Sequence, residues 1–207
     1  MGTRGLIGII TPQGEVRASY NHHDSYPTSL GVRLQEQMRD WSTIPANDLM
    51  AIRWVEEQDL PTEREAAWAR EVGVAARHAD EVAVMDWYTA LREMQGRLDL
   101  MLEHKLAINN AGFIQDSLFC EWAYLIDLRS FEIVILDGFN VRPEWQAPYA
   151  VAQRNPEHNA LLGQSYYGCC EVWRGSLDAF RALDMEAVET GAAPSPSALQ
   201  ALATVAA

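Results

Sequence analysis

The order of apolar and polar positions divides the chain into a strand-like opening, a long helical middle and a second strand-like stretch. Residues 4–10 (RGLIGII) are apolar with small residues among them, Thr11-Pro12-Gln13-Gly14 is a turn sequence, and residues 15–20 alternate in character. Together they predict an N-terminal β-hairpin. Residues 21–27, polar and aromatic, break that pattern. Leu30, Leu34, Met38 and Trp41 then recur at helical steps behind Ser29, a candidate N-cap. Asn47 is a candidate cap for a short helix reaching about residue 57. Thr62, with Glu65 three residues on, has the form of a capping box for a helix running to about residue 77. Trp87, Leu91, Met94, Leu98 and Met101 share one face of a helix expected over 86–104. Gly96 weakens that helix by about 1 kcal/mol relative to Ala.

Strand character returns at 118–127 (LFCEWAYLID), apolar on both faces as in a sheet covered on both sides. Arg129-Ser130 turns it into residues 131–136, a second hairpin. Residues 137–159, with Pro143, Pro148 and Pro156, read as irregular; 164–173 predict a last strand and 177–183 a short closing helix. Strands, then helices, then strands argue for α+β architecture rather than alternating βαβ units. The expected organisation is a single domain over 1–185 and a weakly ordered Ala/Pro/Ser-rich tail over 186–207, with a terminal helix over 197–205 as the competing reading.

Composition adds limits. With 48% hydrophobic residues, seven Trp, seven Tyr and five Phe, the chain can bury a real core. Sixteen Lys and Arg against 29 Asp and Glu give a formal charge of -13, which repels phosphate backbones and anionic headgroups. Lys and Arg never occur two in a row, so nucleic-acid polymers are disfavoured as partners, while a basic protein surface or a small ligand is compatible. Cys120, Cys169 and Cys170 do not make a disulfide framework and read as reduced core thiols. No stretch approaches the ~18 apolar residues of a membrane helix. The opening lacks a signal peptide's basic start and long apolar run, so the expectation is a cytoplasmic protein with no membrane partner. Oligomeric state is not legible.

The sequence carries no P-loop, GxGxxG, GxSxG or HExxH signature. One run stands out: Tyr20-Asn21-His22-His23-Asp24-Ser25-Tyr26-Pro27 packs an amide, two imidazoles, a carboxylate and three hydroxyls into the loop that ends the first hairpin. Those residue types also suit a tight turn into a helix. A metal set of His22, His23 and Asp24 is weighed below that plain turn reading, and no metal is expected. Glu121 is the lone carboxylate in residues 118–126. Either it is buried and needs a partner, with Arg4 a candidate if the two hairpins share a sheet, or it lies at a sheet edge facing water.

Thr3-Arg4-Gly5-Leu6-Ile7-Gly8, Tyr20-Asn21-His22 and Asp24-Ser25-Tyr26-Pro27 resemble a little-characterised family of bacteriophages and bacteria whose members often begin Met-Cys-Thr-Arg-Gly. The resemblance extends to Asp86-Trp87-Tyr88, Gln95-Gly96 and Ser117-Leu118-Phe119-Cys120-Glu121-Trp122, and so spans about residues 3–140. The start also looks like that of N-terminal-nucleophile hydrolases, including choloylglycine hydrolases and glutamine-dependent amidotransferases. That likeness implies a four-layer αββα sandwich of two antiparallel sheets, and amide hydrolysis by the first side chain after Met removal, with the free α-amino group as base. It assigns catalytic roles to Thr3, Arg4, Asn21 and Asp24, and substrate binding to His22, Tyr26 and Glu121. The substrate would be a small amide such as glutamine or an acylated amine, and neither a metal nor an organic cofactor is needed. Position 2, however, is Gly, which offers no nucleophile. The alternative is a non-enzymatic, phage-type accessory or anti-defence protein that sequesters a small ligand or a host protein.

Overall fold

The computed structural model describes residues 2–150, 160–161 and 163–192. The expected first hairpin forms as β1 (Gly5–Ile10) and β2 (Val16–Asn21), in register from Gly5 opposite Asn21 to Ile10 opposite Val16. The second forms as β5 (Trp122–Asp127) and β6 (Glu132–Asp137). The two hairpins join edge to edge: β1 runs parallel to β5, with Gly5 opposite Trp122. A last strand, β9 (Cys170–Ser176), pairs antiparallel with β6 and carries a bulge, giving the order β2-β1-β5-β6-β9. The α+β class stands. Among the described residues the main sheet is this single five-stranded mixed one. Other strands are short: β3 (Arg53–Val55) pairs parallel with β4 (Leu106–Ile108), and β7 (Ala160–Leu161) pairs with β8 (Gln164–Ser165).

Alternation along the strands sends side chains to two different cores. Ile7, Ile9, Tyr124, Ile126, Ile133 and Ile135 meet a helical layer that contributes Leu30, Leu34, Met38, Leu91, Met94, Leu98, Met101 and Phe180. Leu6, Ile10, Ala18, Leu125, Val134 and Leu136 meet Ile114, Cys120, Ala147 and Cys169, from 3₁₀ turns and loops. Strands β1 and β5 are buried at every residue, which is why residues 118–127 read as apolar on both faces. All three cysteines are free thiols.

The helical layer departs from the periodicity in informative places. Ser29 caps nothing: Pro27–Gly31 is a π-type turn leading into α1 (Val32–Gln37), and neither element has a side-chain cap. Asn47 lies inside α2 (Ala46–Met50), which stops early because residues 53–55 are drawn into the β3–β4 pair. The capping box of Thr62 and Glu65 does start α3 (Glu63–Glu71), which ends before residue 77 because Gly73, at φ +75°, takes the left-handed position beyond the cap. The helix expected over 86–104 is two, α4 (Trp87–Ala90) and α5 (Leu98–His104), split where Gly96 adopts φ +70°. Helix α6 (Leu177–Arg181) closes the sheet as expected. A further helix, α7 (Met185–Glu189), buries Met185 and Val188, and the Glu189 carboxylate accepts from the Thr28 N–H and hydroxyl. The fold therefore continues past the expected boundary at residue 185; the 197–205 alternative falls outside the described residues. No described helix is long and apolar enough to cross a membrane.

Two strands approach closely at Gly8, where an added Cβ would lie 2.5 Å from Ala18 Cα and closer still to the Arg17 carbonyl oxygen. Both are backbone atoms of a paired strand and cannot swing aside. Gly8→Ala should destabilise the fold by about 3 kcal/mol or more, measured by chemical denaturation. Stability within ~0.5 kcal/mol of the unaltered chain would show that this packing is wrong.

Candidate functional site

The pairing of β1 with both β2 and β5 brings the chain's first residues to one end of the sheet. Thr3 is buried there, and its carbonyl accepts from Ser25 N–H at 3.1 Å. Asn21, at the end of β2, is also buried; its amide donates to His23 O (2.6 Å) and Ser25 Oγ (2.7 Å). Gly96 lies directly against it, and a Cβ there would come 3.0 Å from Asn21 Cγ and nearer to Oδ1. The break between α4 and α5 thus lets backbone touch the Asn21 amide. The Arg33 guanidinium is on the same spot, 3.6 Å from where that Cβ would be.

Arg4 is half-buried, with its guanidinium stacked 4.5 Å from the centre of the Phe119 ring. Arg92 stacks in the same way on Tyr88, at 5.1 Å, and donates to Gln95 Oε1. Between them lies Tyr20, its hydroxyl 2.9 Å from His22 Nδ1 and its ring edge-on to Phe113 at 5.3 Å. The His22 and His23 rings are 4.2 Å apart. Burial, then the charges of His23, Arg92 and Arg4, hold the His22 imidazole below its ordinary pKa. Burial raises Tyr20, with Arg4 and Arg92 pulling the other way.

Thr3, Arg4, Asn21 and His22 therefore share one neighbourhood. Glu121 joins it only through its backbone: its N–H donates to Arg4 O at 2.9 Å and its carbonyl accepts from Gly138 N–H. The two hairpins do share a sheet, yet the Arg4 guanidinium goes to Phe119 and makes no ion pair with Glu121. Asp24 is exposed at φ +53°, a left-handed turn conformation that Asp tolerates. The Tyr26 carbonyl accepts from Ser29 N–H and Gly31 N–H and so starts the π-type turn. Among the described residues no three His, Cys, Asp or Glu side chains converge as a metal set. Arg33, Tyr88, Arg92 and Gly96 escaped motif reading, although the resemblance had marked Tyr88, Gly96 and Phe119 as parts of separate stretches. Folding brings those stretches together.

A concavity of about 870 Å³ opens beside β9 and is lined by Arg129, Asp137, Trp145, Tyr149, Cys170, Glu171 and Arg174 among others. Its cations are already matched. Arg174 pairs with Asp127, Glu132 and Glu171, Arg129 pairs with Asp127, and Tyr149 donates to Glu171. Burial alone would raise Asp127, but hydrogen bonds from Arg129 and Arg174 outweigh it and hold the carboxyl at about 2. Burial also raises the Cys170 thiol, to about 12. Protein-family models, curated proteins and solved structures were all compared with the chain, and none matches.

Asp137, in that cleft, makes no ion pair with the described residues. Burial pushes its carboxyl up to about 6, with the Gly138 N–H pulling partly back. A raised folded-state value stabilises the fold fully below the ordinary 3.8 and is lost as pH rises through about 6. Asp137→Asn should therefore raise stability at pH 8 by up to about 3 kcal/mol, with the gain fading towards pH 4. Thermal melts across that range check it; equal or lower stability of the variant at pH 8 would contradict an unpaired, buried carboxylate.

Proposed function

We propose that the protein is a small-ligand-binding domain of N-terminal-nucleophile-hydrolase type, whose amide-cleaving step is missing because position 2 carries no side chain. The likeness is one of site rather than of layers, since the described strands form one main sheet. One observation carries it: a Cβ built on Gly2 would lie 2.6 Å from His23 Nδ1 and 3.2 Å from His22 O. A side chain at that position would therefore stand against an imidazole. Thr3 and Asn21 are fixed beside it, and Arg4 stands two residues on in the chain. Polar groups beside the chain's start that could orient a carbonyl support the reading, with the free α-amino group as the base. Thr3 does not substitute for the missing nucleophile, being buried with its backbone tied to Ser25.

The test is a Gly2→Cys variant. His23 is exposed and its ring can turn aside to admit the new side chain. We expect mass spectrometry to show Met1 removed. A thiol-reactive probe should label the new cysteine about tenfold faster than Cys120, Cys169 or Cys170. The unaltered chain should leave glutamine and N-acyl amines intact, while the variant hydrolyses at least one of them. A variant that has lost Met1, yet shows neither selective labelling nor hydrolysis, would end the amide reading.

A further inference from the structure

Half-buried arginines normally have an acidic partner in this molecule: Arg17, Arg97, Arg174 and Arg181 pair with Glu15, Asp99, Glu171 and Asp178. Among the described residues, those without one are Arg4, Arg33 and Arg92. All three lie at the end of the sheet that holds Asn21 and His22. In a chain with 13 more acidic than basic residues, three uncompensated cations withdrawn from water at one place are not a by-product of composition. Removing water from a guanidinium without supplying an anion costs free energy, and a ligand anion would recover it.

The surroundings narrow the chemistry. Phe119 and Tyr88 each cover one face of a guanidinium, leaving the in-plane N–H groups as donors; among the described residues Arg4 has no side-chain hydrogen-bond acceptor. The charges acting on His22 are all positive, those of His23, Arg92 and Arg4, so the potential there suits more than one negative charge. Half-buried Tyr20 and Phe113 add ring surface beside them.

We propose that Arg4, Arg92 and Arg33 form the anion-recognition element of this site, which takes a small molecule carrying a phosphate on a planar ring, the chemistry of a mononucleotide. The guanidiniums hold the phosphate, and the ring lies against the Tyr20 and Phe113 side. This deepens, and rests on, the assignment of the ligand site to the start of the chain.

The probe is AMP, titrated by calorimetry into the full chain at about 0.1 M salt, with adenosine and inorganic phosphate as separate arms. AMP should bind more tightly than either fragment. Arg4→Gln and Arg92→Gln should each weaken it by about tenfold or more, and Arg4→Lys by less, since an ammonium keeps the charge but not the planar fork. Arg17→Gln, at the far end of the same hairpin, should leave it unchanged; circular dichroism of each variant establishes that it folds. No AMP binding, adenosine binding as tightly as AMP, or AMP binding indifferent to Arg4 and Arg92 would each overturn the proposal. If AMP fails while the thiol of the Gly2→Cys variant is still selectively labelled, only the phosphate inference falls. If AMP binds as expected and that thiol is neither labelled nor active, the amide reading falls instead.

Discussion

Strand β1 is hydrogen-bonded on both edges, antiparallel to β2 and parallel to β5, and the position of every group at the candidate site follows from that. A strand in this place cannot fray, so residues 3 and 4 are carried into the structure instead of trailing from it. The contact requires small residues. At Gly5 a Cβ would lie 2.8 Å from Ser25 Cβ and closer to the Trp122 carbonyl oxygen, and Gly8 meets the β2 backbone in the same way. The ladder continues past the strand ends, from Glu121 N–H to Arg4 O and from Ser25 N–H to Thr3 O, fixing the polar loop against the chain's start. Parallel pairing between segments more than a hundred residues apart contributes only once the intervening helices have folded back. The helical layer is therefore a condition for the site as well as a cover for the sheet.

Much of this was readable from residue order, and what was not has identifiable causes. Both hairpins and the capping box at Thr62 are local signals, decided by turn residues and by side chains three positions apart. The Ser29 cap, the long helix over 86–104 and the helix over 47–57 failed because tertiary contacts overrode a local preference. Residues 53–55 found a strand partner in 106–108, and Gly96 was needed against Asn21. The parallel β1–β5 pairing is invisible to periodicity, which reports which face a residue takes but not which strand lies beside it. The same limit explains the site. Thr3, Arg4, Asn21 and His22 belong to one hairpin and were found together, whereas Arg33, Tyr88 and Arg92 arrive from the helical layer. Their function-like property, a cation without an acid, appears only after folding.

The two ends of the sheet treat charge in opposite ways. Around Arg174 the carboxylates of Asp127, Glu132 and Glu171 and the guanidinium of Arg129 form a closed network, in which Asp127 is held at about 2. Such a network stabilises geometry and leaves little for a ligand to gain, because its donors and acceptors already have partners. At the start of β1 the cations are stacked on rings and short of acceptors. Cleft size favours the first place and unsatisfied chemistry the second. A ligand's binding free energy comes from the groups it completes, so the second is the better candidate even though the cleft beside β9 is large.

Whether such a site turns its ligand over depends on a nucleophile, and the hydroxyls there are engaged: Ser25 Oγ accepts from the Asn21 amide and the Tyr20 hydroxyl is hydrogen-bonded to His22. The Thr3 side chain is buried, and its carbonyl is engaged by Ser25. The thiols of Cys169 and Cys170 lie elsewhere, in the second core and the cleft beside β9, and both are raised: a hydrogen bond with Cys120 and then burial raise Cys169, and burial first raises Cys170. His22, its pKa lowered, is hydrogen-bonded to the Tyr20 hydroxyl. What this end of the sheet does offer is fixed donors and ring surfaces, the groups on which the proposed ligand recognition rests. In the reading proposed above, position 2 is where one added side chain would stand against an imidazole.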